Sequence, residues 1–366
     1  MHFLHVADSH LGYSAYHKLN ENGLNQREVD TYNSFKQFVD YAIASKPDMI
    51  LHSGDLFDSV RPTNRAIKFA MEQIIRISEN DIPMVIISGN HETPKMRETG
   101  SPLSFFEHLK NIYVVYKGKY EKIEIGDAMI HAIPHCFSKE ELIKNIELAK
   151  KIDGYFNISM MHVGIFGIKE FSRGDFNEQI IPSGYLSPDF DYIALGHYHT
   201  ATKVTENSYY SGSTEYFSFK EVGGRKGFYD IKMSDGIDIN FMPLKTRSMI
   251  DFGSIDCNDL PPDEITEKII KKFESGIEGK IIRIFLKNLN LAKHKSIDWN
   301  KIKKMASKSL HFEVGYDLKE IKYEMASKSR MASLEEEWRN YISSVPIERK
   351  KEIGELALKY LSEAKG

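Results

Sequence analysis

Short apolar runs alternate with amphipathic stretches along residues 1–245. The runs at 3–7 and 84–87 are rich in bulky apolar side chains and lead into Asp or Gly, which predicts buried strands. Apolar residues recur at helical spacing over 24–45 and 64–79, which predicts amphipathic helices. This alternation predicts an α/β fold, a two-sheet sandwich with helices outside.

The remaining pattern divides the chain into three parts. The predicted domains are 1–245, a small α+β domain at 246–325, and a helical tail at 326–366. Further predicted elements are helices at 102–109, 139–150, 264–273 and 297–310, and strands at 155–161 and 280–286. Two apolar stripes, separated by Pro346, mark the tail. They are Leu334, Trp338, Tyr341 and Ile342, then Ile353, Leu356, Ala357, Tyr360 and Leu361.

Composition narrows the class of protein. Hydrophobic residues make up 41% and charged residues 28% of the chain, which is typical of a soluble protein. We expect no membrane span, because no run of about eighteen apolar residues occurs, and no secretion signal. Two widely spaced cysteines, Cys136 and Cys257, favour a reducing, cytoplasmic compartment. The net charge of −3 gives no global sign of nucleic-acid binding.

Polar side chains with metal-binding chemistry follow five predicted strands. Because ligand sites form at the carboxyl ends of strands in layered α/β folds, we expect these side chains to converge. Cysteine is missing from the set, which favours Mn²⁺, Fe²⁺ or Zn²⁺ with open positions for water. The expected metal ligands are Asp8, His10, Asp55, Asn90, His162, His197 and His199.

The ligand set predicts a two-metal site for cleaving phosphate esters. Two cations about 3.5–4 Å apart need a bridging carboxylate, and Asp55 is the expected bridge. His91 follows a ligand but is expected to point elsewhere, where it stabilises charge on phosphorus or protonates the leaving oxygen. The other ligands divide into Asp8, His10 and His199 around one cation, and Asn90, His162 and His197 around the other.

Six sequence phrases resemble the calcineurin-like metallophosphoesterase superfamily. Within it, the chain resembles the SbcD-type nuclease subunit of the double-strand-break repair complex, the meiotic recombination eleven family, and an archaeal member in particular. The phrases are His5-Val6-Ala7-Asp8-Ser9-His10-Leu11-Gly12, His52-Ser53-Gly54-Asp55-Leu56-Phe57, Ser88-Gly89-Asn90-His91-Glu92, Met161-His162-Val163-Gly164, Ala194-Leu195-Gly196-His197-Tyr198-His199 and Gly212-Ser213-Thr214-Glu215.

The resemblance implies an activity and a set of partners. It implies the seven ligands above, a catalytic His91, and two Mn²⁺ per subunit, with Mg²⁺, Fe²⁺ or Zn²⁺ as other cations. The activity would be 3′–5′ exonuclease on duplex ends and endonuclease on single-stranded DNA. The domain at 246–325 would be a cap that touches DNA. The tail would bind an SbcC-type (Rad fifty) coiled-coil ABC ATPase, and the location would be cytoplasmic, at the nucleoid.

Two surfaces follow from the same resemblance. Related nucleases form homodimers through helices at 64–79 and 102–109, where this chain has Ile67, Met71, Phe105 and Leu109. DNA contacts are expected from loops that follow the motifs, with cations on phosphates and tyrosines on unpaired bases. These contacts are Tyr13, Tyr16, His17, Lys18, Arg61, Lys95, Arg97, Lys220, Arg225 and Lys226.

Several alternatives stay open at the level of sequence. The same metal site would serve a phosphoprotein phosphatase or a cyclic-nucleotide phosphodiesterase, and the fold also supports non-catalytic scaffolds. The small domain and the tail could pack on their own chain without partners. Some relatives carry a histidine where this chain has Asp58, and there it is associated with handling the duplex end. Asp58 would equally suit a turn or a helix cap, so the exonuclease role is less firmly predicted than the metal site.

Overall fold

The computed structural model of the protein describes most of the chain. It covers residues 1–94, 96, 99–167, 178–234, 236–318, 338–339, 341–343 and 350–363. The chain divides into two compact units, Met1–Leu318 and Lys319–Gly366. Among the helices that these residues form, none has the length and apolar character needed to cross a bilayer.

Strands and helices alternate in the first unit. In chain order, the strands are β1 (His2–Val6), β2 (Met49–His52), β3 (Met84–Ile87), β4 (Ile112–Val115), β5 (Glu121–Ile125), β6 (Ala128–Ile133), β7 (Phe156–His162), β8 (Gly164–Ile165), β9 (Ile180–Ile181), β10 (Tyr192–Gly196), β11 (Thr202–Lys203), β12 (Ser208–Tyr210), β13 (Gly227–Met233), β14 (Ile237–Pro243), β15 (Met249–Asp256), β16 (Ile281–Leu289) and β17 (His311–Leu318). The α-helices are α1 (Gln26–Ser45), α2 (Asn64–Glu79), α3 (Lys139–Leu148), α4 (Pro262–Phe273), α5 (Leu291–Ser296) and α6 (Trp299–Ala306), with 3₁₀ helices at Pro102–Phe106, Ser183–Tyr185 and Phe219–Glu221.

Two six-stranded sheets form the body of this unit. Their strand orders are β14-β13-β1-β2-β3-β4 and β11-β12-β10-β7-β6-β5. The central neighbours β1, β2, β3 and β4 are parallel, as are β12, β10, β7 and β6. Buried side chains from both sheets meet in one core, with Phe3 and Leu51 on one side and Ile130 and Met160 on the other.

Helices cover the outer faces of the sandwich. Phe35 and Phe38 of α1 pack with Leu4 of β1, and Leu142 of α3 packs with Met161 of β7. Asn25 begins α1, because its side chain accepts the backbone N–H groups of the first turn. The predicted two-sheet α/β sandwich with outer helices is therefore confirmed.

Two of the predicted helices differ from the observed bounds by more than two residues. The segment predicted as a helix at 102–109 is a 3₁₀ helix that ends at Phe106. The helix predicted at 297–310 is shorter: it corresponds to α6 at Trp299–Ala306, which is separate from the preceding α5. Ile297 is extended between them, and the carboxylate of Asp298 accepts the backbone N–H of Lys301 at 2.9 Å, which starts α6 as a new helix.

A separate three-stranded parallel sheet follows the sandwich. Its order is β15-β16-β17, and α4 and α6 bury side chains such as Ile265, Ile302 and Ala306 in its own core. The segment that leads into it is tied to α1, because Arg247 donates two hydrogen bonds to Asp30 at 2.6 and 2.7 Å. The division into domains at 245 and 325 remains a prediction.

The second unit, Lys319–Gly366, includes the tail predicted at 326–366. Helix α7 spans Lys350–Glu363, and residues 338–339 and 341–343 are also helical. The indole N–H of Trp338 donates to the carbonyl of Gly354 at 3.3 Å, so the two parts of the tail contact each other. Tyr341, Leu356 and Tyr360 are more than half exposed.

Candidate metal centre

The predicted ligands follow the carboxyl ends of five strands. Asp8 follows β1, Asp55 follows β2 and Asn90 follows β3 in the first sheet. In the second sheet, His162 ends β7 and His197 follows β10. Because β1, β2 and β3 are parallel and β7 is parallel to β10, each sheet presents these residues at one edge. All of them are buried.

The backbone at this edge is held in uncommon conformations. Asp8, His10, Asp55 and His197 have φ of 52°, 44°, 54° and 104°, in the left-handed region that side chains other than glycine rarely adopt. Each costs on the order of 1–3 kcal/mol and persists only where surrounding contacts fix it. Such contacts are present, since the N–H of Asp8 donates to Gly54 O and the N–H of His10 donates to Asp55 O, both at 3.0 Å. The surrounding structure therefore holds these four residues in strained conformations, which is typical of a functional site.

One group of donors comprises Asp8, His10 and His199. Their ligand atoms lie within 4.8 Å of one another. Nε2 of His10 and Nε2 of His199 are 3.1 Å apart, and Nε2 of His199 lies 3.9 Å from Asp8 Oδ1. The structure brings together the three side chains that the sequence assigns to one cation.

A second group surrounds Asn90. Its Oδ1 lies 3.0 Å from Nε2 of His162 and 3.2 Å from Nδ1 of His197. Asp55 lies between the two groups, because its Oδ2 is 3.2 Å from Nε2 of His162 and 3.8 Å from Nε2 of His10. This is the place that a bridging carboxylate would have to occupy. The seven predicted ligands therefore share one buried site.

The donor chemistry fits a pair of divalent cations. Carboxylate oxygen, amide oxygen and imidazole nitrogen are present, and both cysteines, Cys136 and Cys257, lie elsewhere as free thiols. Such mixed donors suit borderline cations such as Mn²⁺, Fe²⁺ or Zn²⁺. A compact cluster of buried carboxylates and imidazoles is also costly to assemble unless charges compensate one another. Divalent cations bound at this edge would supply positive charge that compensates the buried carboxylates.

The charges in the cluster interact strongly. Burial raises the pKa of Asp55, but the surrounding histidines, His162 first, hold it well below its usual range. Burial lowers the pKa of His162, but Asp55 and Asp8 together raise it to about 9. For Asp8, burial is the largest effect and raises the pKa of its carboxyl group. Asp55 is therefore the more firmly ionised of the two carboxylates.

Each imidazole in the cluster also contacts an oxygen through its second ring nitrogen. Nδ1 of His162 is 2.8 Å from the carbonyl of Ser53, and Nε2 of His197 is 3.1 Å from Glu178 Oε1. Nδ1 of His199 is 3.3 Å from Glu221 Oε1. Sequence reasoning missed both glutamates, since they lie 19 and 22 residues from their histidines and follow no local motif.

His91 lies nearer to the cluster than the sequence suggests. Its backbone N–H donates to Asp55 Oδ1 at 2.9 Å, and its Nδ1 is 2.9 Å from the carbonyl of Asp58. A ligand atom of its ring also falls within 4.8 Å of His10 and Asp55. Because Nδ1 is engaged with Asp58, Nε2 is the nitrogen available to a substrate. The expectation that the ring points away from the ligands is therefore wrong.

Asp58 is more than a turn residue. Its Oδ1 lies 3.2 Å from Nδ1 of His10, while its carbonyl contacts His91. The pKa of His10 is lowered by burial but raised more strongly by the carboxylates around it, Asp58 first. Asp58 therefore contacts both a predicted ligand and the predicted catalytic residue.

The predicted DNA contacts are partly surface residues. His17, Lys18, Arg61, Lys220 and Arg225 are exposed. Tyr13 and Tyr16 are half-buried: the hydroxyl of Tyr13 donates to Phe217 O at 3.2 Å, and Tyr16 stacks on His311 with ring centroids 4.0 Å apart. Three predicted site residues lie outside the described residues, namely Lys95, Arg97 and Leu334.

The prediction for Lys226 is wrong. Its side chain is buried, with 3% of its surface exposed, so it cannot contact a DNA phosphate. Its ammonium group donates to the carbonyl of His199 at 2.7 Å, to Ser213 Oγ at 2.8 Å and to Glu221 Oε2 at 2.6 Å. Of the three basic residues predicted here to contact DNA, Lys226 is buried, whereas Lys220 and Arg225 are exposed.

Comparisons with known proteins give the same family. The family model for calcineurin-like phosphoesterases matches residues 1–201. Proteins named DNA double-strand break repair protein Mre11 align from Methanocaldococcus jannaschii, 33% identical over 310 residues (78% of each chain), and from Methanococcus maripaludis, 32% identical over 251 residues. The second alignment covers 66% of this chain and 65% of the relative. A third relative, from Saccharolobus solfataricus, is 32% identical over 247 residues, or 64% of this chain and 61% of its own.

The alignments extend the resemblance seen in the motifs. The matched residues 1–201 contain the ends of β1, β2, β3, β7 and β10, where the metal-binding side chains meet. Members of this family use divalent cations, in agreement with the donor set. The predicted family is confirmed: the chain belongs to the calcineurin-like phosphoesterases and, among them, to the Mre11 family.

Proposed function

We propose that this chain is a Mn²⁺-dependent DNA nuclease of double-strand-break repair that binds two cations per subunit. The observation that carries the proposal is the position of Asp55 between two groups of donors, 3.2 Å from His162 and 3.8 Å from His10. Family membership supports phosphoester hydrolysis, and the names of the relatives support broken DNA as the substrate. Mg²⁺, Fe²⁺ or Zn²⁺ would suit the same donors.

The residues of the chain would divide the work as follows. Asp8, His10 and His199 would hold one cation, Asn90, His162 and His197 the other, and Asp55 both. Divalent cations held there supply Lewis acidity toward a phosphate ester and lower the pKa of water. The Nδ1–H of His91 donates to Asp58 O, so the ring would donate from Nε2 to a phosphate oxygen or to the leaving oxygen as an imidazolium.

A DNA-binding face beside the site is part of the proposal. The exposed cations Lys18, Arg61, Lys220 and Arg225 would neutralise phosphates. A cavity of about 600 Å³ is lined by Lys18 and by residues of the small domain that include Trp299 and Tyr316. Aromatic rings beside a cation suit an unpaired base next to its phosphate. This supports the small domain as a cap that touches DNA.

We further propose a homodimer and an ATPase partner. Phe105 exposes 52% of its surface near α2, which supports dimer formation through this region. Met71 and Leu109 already pack against the core of their own subunit and are partly buried there. Phe105, which is more exposed, is therefore the stronger candidate for a dimer contact. The exposed Tyr341, Leu356 and Tyr360 of the tail suit burial against the apolar root of an SbcC-type (Rad fifty) coiled coil. A cytoplasmic, nucleoid-associated location would follow from these partners.

One comparison of substrates tests the proposal against the alternatives. The purified chain would be given Mn²⁺ with end-labelled duplex DNA, hairpin DNA, a phosphopeptide or a cyclic nucleotide. We expect loss of nucleotides from the 3′ end of the duplex and opening of the hairpin. Preference for the phosphopeptide or cyclic nucleotide would identify another phosphoesterase. Folded protein that binds Mn²⁺ but cleaves none of the substrates would indicate a scaffold.

A further inference from the structure

A buried acid and a buried base lie behind His199. Nε2 of His199 faces the cluster, 3.1 Å from Nε2 of His10, while Nδ1 lies 3.3 Å from Glu221 Oε1. The two ring nitrogens therefore have different neighbours, a predicted ligand on one side and a carboxylate on the other. A carboxylate accepts but does not donate, so Nδ1 carries the hydrogen and Nε2 keeps its lone pair for a cation.

We propose that Glu221 and Lys226 are positioning residues that fix the tautomer and orientation of His199 for cation binding, an inference that rests on the proposed metal function. Glu221 would act on the imidazole directly, through the contact at Nδ1. Lys226 would act through Glu221, whose Oε2 accepts its ammonium at 2.6 Å. Neither side chain is required to touch the cation or the DNA.

Several donors hold the carboxylate of Glu221 in place. Besides Lys226 and His199, the backbone N–H of Phe217 donates to Oε2 at 3.1 Å and the hydroxyl of Ser218 donates to Oε1 at 3.1 Å. Only 4% of the surface of Glu221 is exposed, so water contributes little to holding it. These contacts leave the carboxylate few other positions, and the imidazole that it contacts is restrained with it.

Lys226 also fixes the backbone that carries the ring. Its ammonium donates to the carbonyl of His199 at 2.7 Å and to Ser213 Oγ at 2.8 Å. The hydroxyl of Ser213 lies 3.3 Å from the same carbonyl. One buried cation therefore restrains both the main chain and, through Glu221, the side chain of His199.

The location of the pair favours a role in the site over a role in folding alone. Burying an acid and a base costs desolvation that a pair of apolar side chains would avoid. A carboxylate also contacts the second ring nitrogen of His197, whose Nε2 lies 3.1 Å from Glu178 Oε1. Partners of this kind on ligating histidines typically change metal affinity by about 10–100-fold when they are removed.

Substitutions that keep size but remove charge test the proposal. Glu221→Gln leaves one acceptor oxygen where several donors converge, and Lys226→Met keeps the apolar stem. Mn²⁺ binding to the metal-free full-length protein would be measured by calorimetry, and folding by circular dichroism and thermal unfolding. We expect the affinity for at least one Mn²⁺ to fall by about 10–100-fold in each variant, with the protein folded.

Glu215→Gln is a matched control. Glu215 is as buried as Glu221 and lies 3.7 Å from Arg27, but it accepts hydrogen bonds from the backbone of Tyr216 and Arg247. Among the described residues, its side chain contacts no predicted ligand. If any lost buried carboxylate weakened the cation site by loosening the fold, this variant would bind Mn²⁺ weakly too. We expect it to bind with the affinity of the unchanged chain.

The double variant tests whether the two residues act together. If Lys226 acts largely through Glu221, the combined loss of affinity is smaller than the product of the two separate losses. A loss equal to the product would overturn the shared action. Unchanged Mn²⁺ affinity in folded Glu221→Gln would overturn the positioning role, as would failure of both single variants to fold. If the unchanged chain binds no Mn²⁺, the proposed metal function itself is wrong.

Discussion

The substitution Gly89→Ala probes how closely the loops around Asp55 are packed. The backbone of Gly89 has a conformation open to any residue, so the change adds only a methyl group. That Cβ would lie 2.1 Å from Asp55 Oδ1 and 2.6 Å from the backbone nitrogen of Asp55. Ordinary contact needs about 3.5 Å, so the carboxylate has to move by more than about 1 Å. The same Oδ1 accepts the N–H of His91 at 2.9 Å, so both residues would shift.

The expected loss follows from this displacement. A misplacement of about 1 Å at a reacting centre typically costs about 100-fold in rate, and overpacking costs about 1–3 kcal/mol of folding free energy. Hydrolysis of a small phosphodiester, bis(p-nitrophenyl) phosphate, would be measured with Mn²⁺, and stability by urea unfolding. Gly184→Ala is the control, because its Cβ would meet no atom of the described residues within 4 Å. Activity of folded Gly89→Ala equal to that of the control would refute the reasoning.

Three further predictions follow from the proposed roles. His91→Ala should lower the hydrolysis rate by about 100-fold or more while calorimetry finds Mn²⁺ binding unchanged; a rate equal to wild type would remove its catalytic role. Burial lowers the pKa of His5 from 6.5 to about 3. Between these two pH values the imidazole is protonated in the unfolded chain but not in the folded one. The free energy of unfolding therefore falls as the pH drops from about 6.5 toward 3, by about 2 kcal/mol at pH 5. Between pH 7 and pH 5, the free energy of unfolding measured in urea should fall by about 2 kcal/mol less in His5→Gln than in the unchanged chain. An equal fall in both proteins would contradict the lowered pKa of His5. Deleting 331–366 should abolish co-purification with the ATPase and leave cleavage of single-stranded DNA intact; retained tight binding would refute the role of the tail.

The sequence predicts the cluster well because its signals are local. Asp8, Asp55 and Asn90 each follow a short apolar run, and parallel strands end at one edge. The helices at 24–45 and 64–79 follow from apolar spacing for the same reason, with bounds that agree to within two residues.

What the sequence does not predict depends on contacts between distant segments. Glu221 lies 22 residues from His199, and no spacing rule connects them. Lys226 belongs to a stretch that has the composition of an exposed loop, yet three buried acceptors surround its ammonium group. The orientation of His91 depends on the carbonyl of Asp58, a backbone atom that carries no sequence signal. Tertiary packing decides all three.

Anomalous diffraction from a crystal soaked in Mn²⁺ tests the central claim most directly. Data collected on both sides of the manganese absorption edge would locate each bound cation without reference to any assumed ligand. The account predicts two peaks about 3.5–4 Å apart, with a carboxylate oxygen of Asp55 in contact with both. A single peak, or two peaks that Asp55 does not bridge, would contradict it.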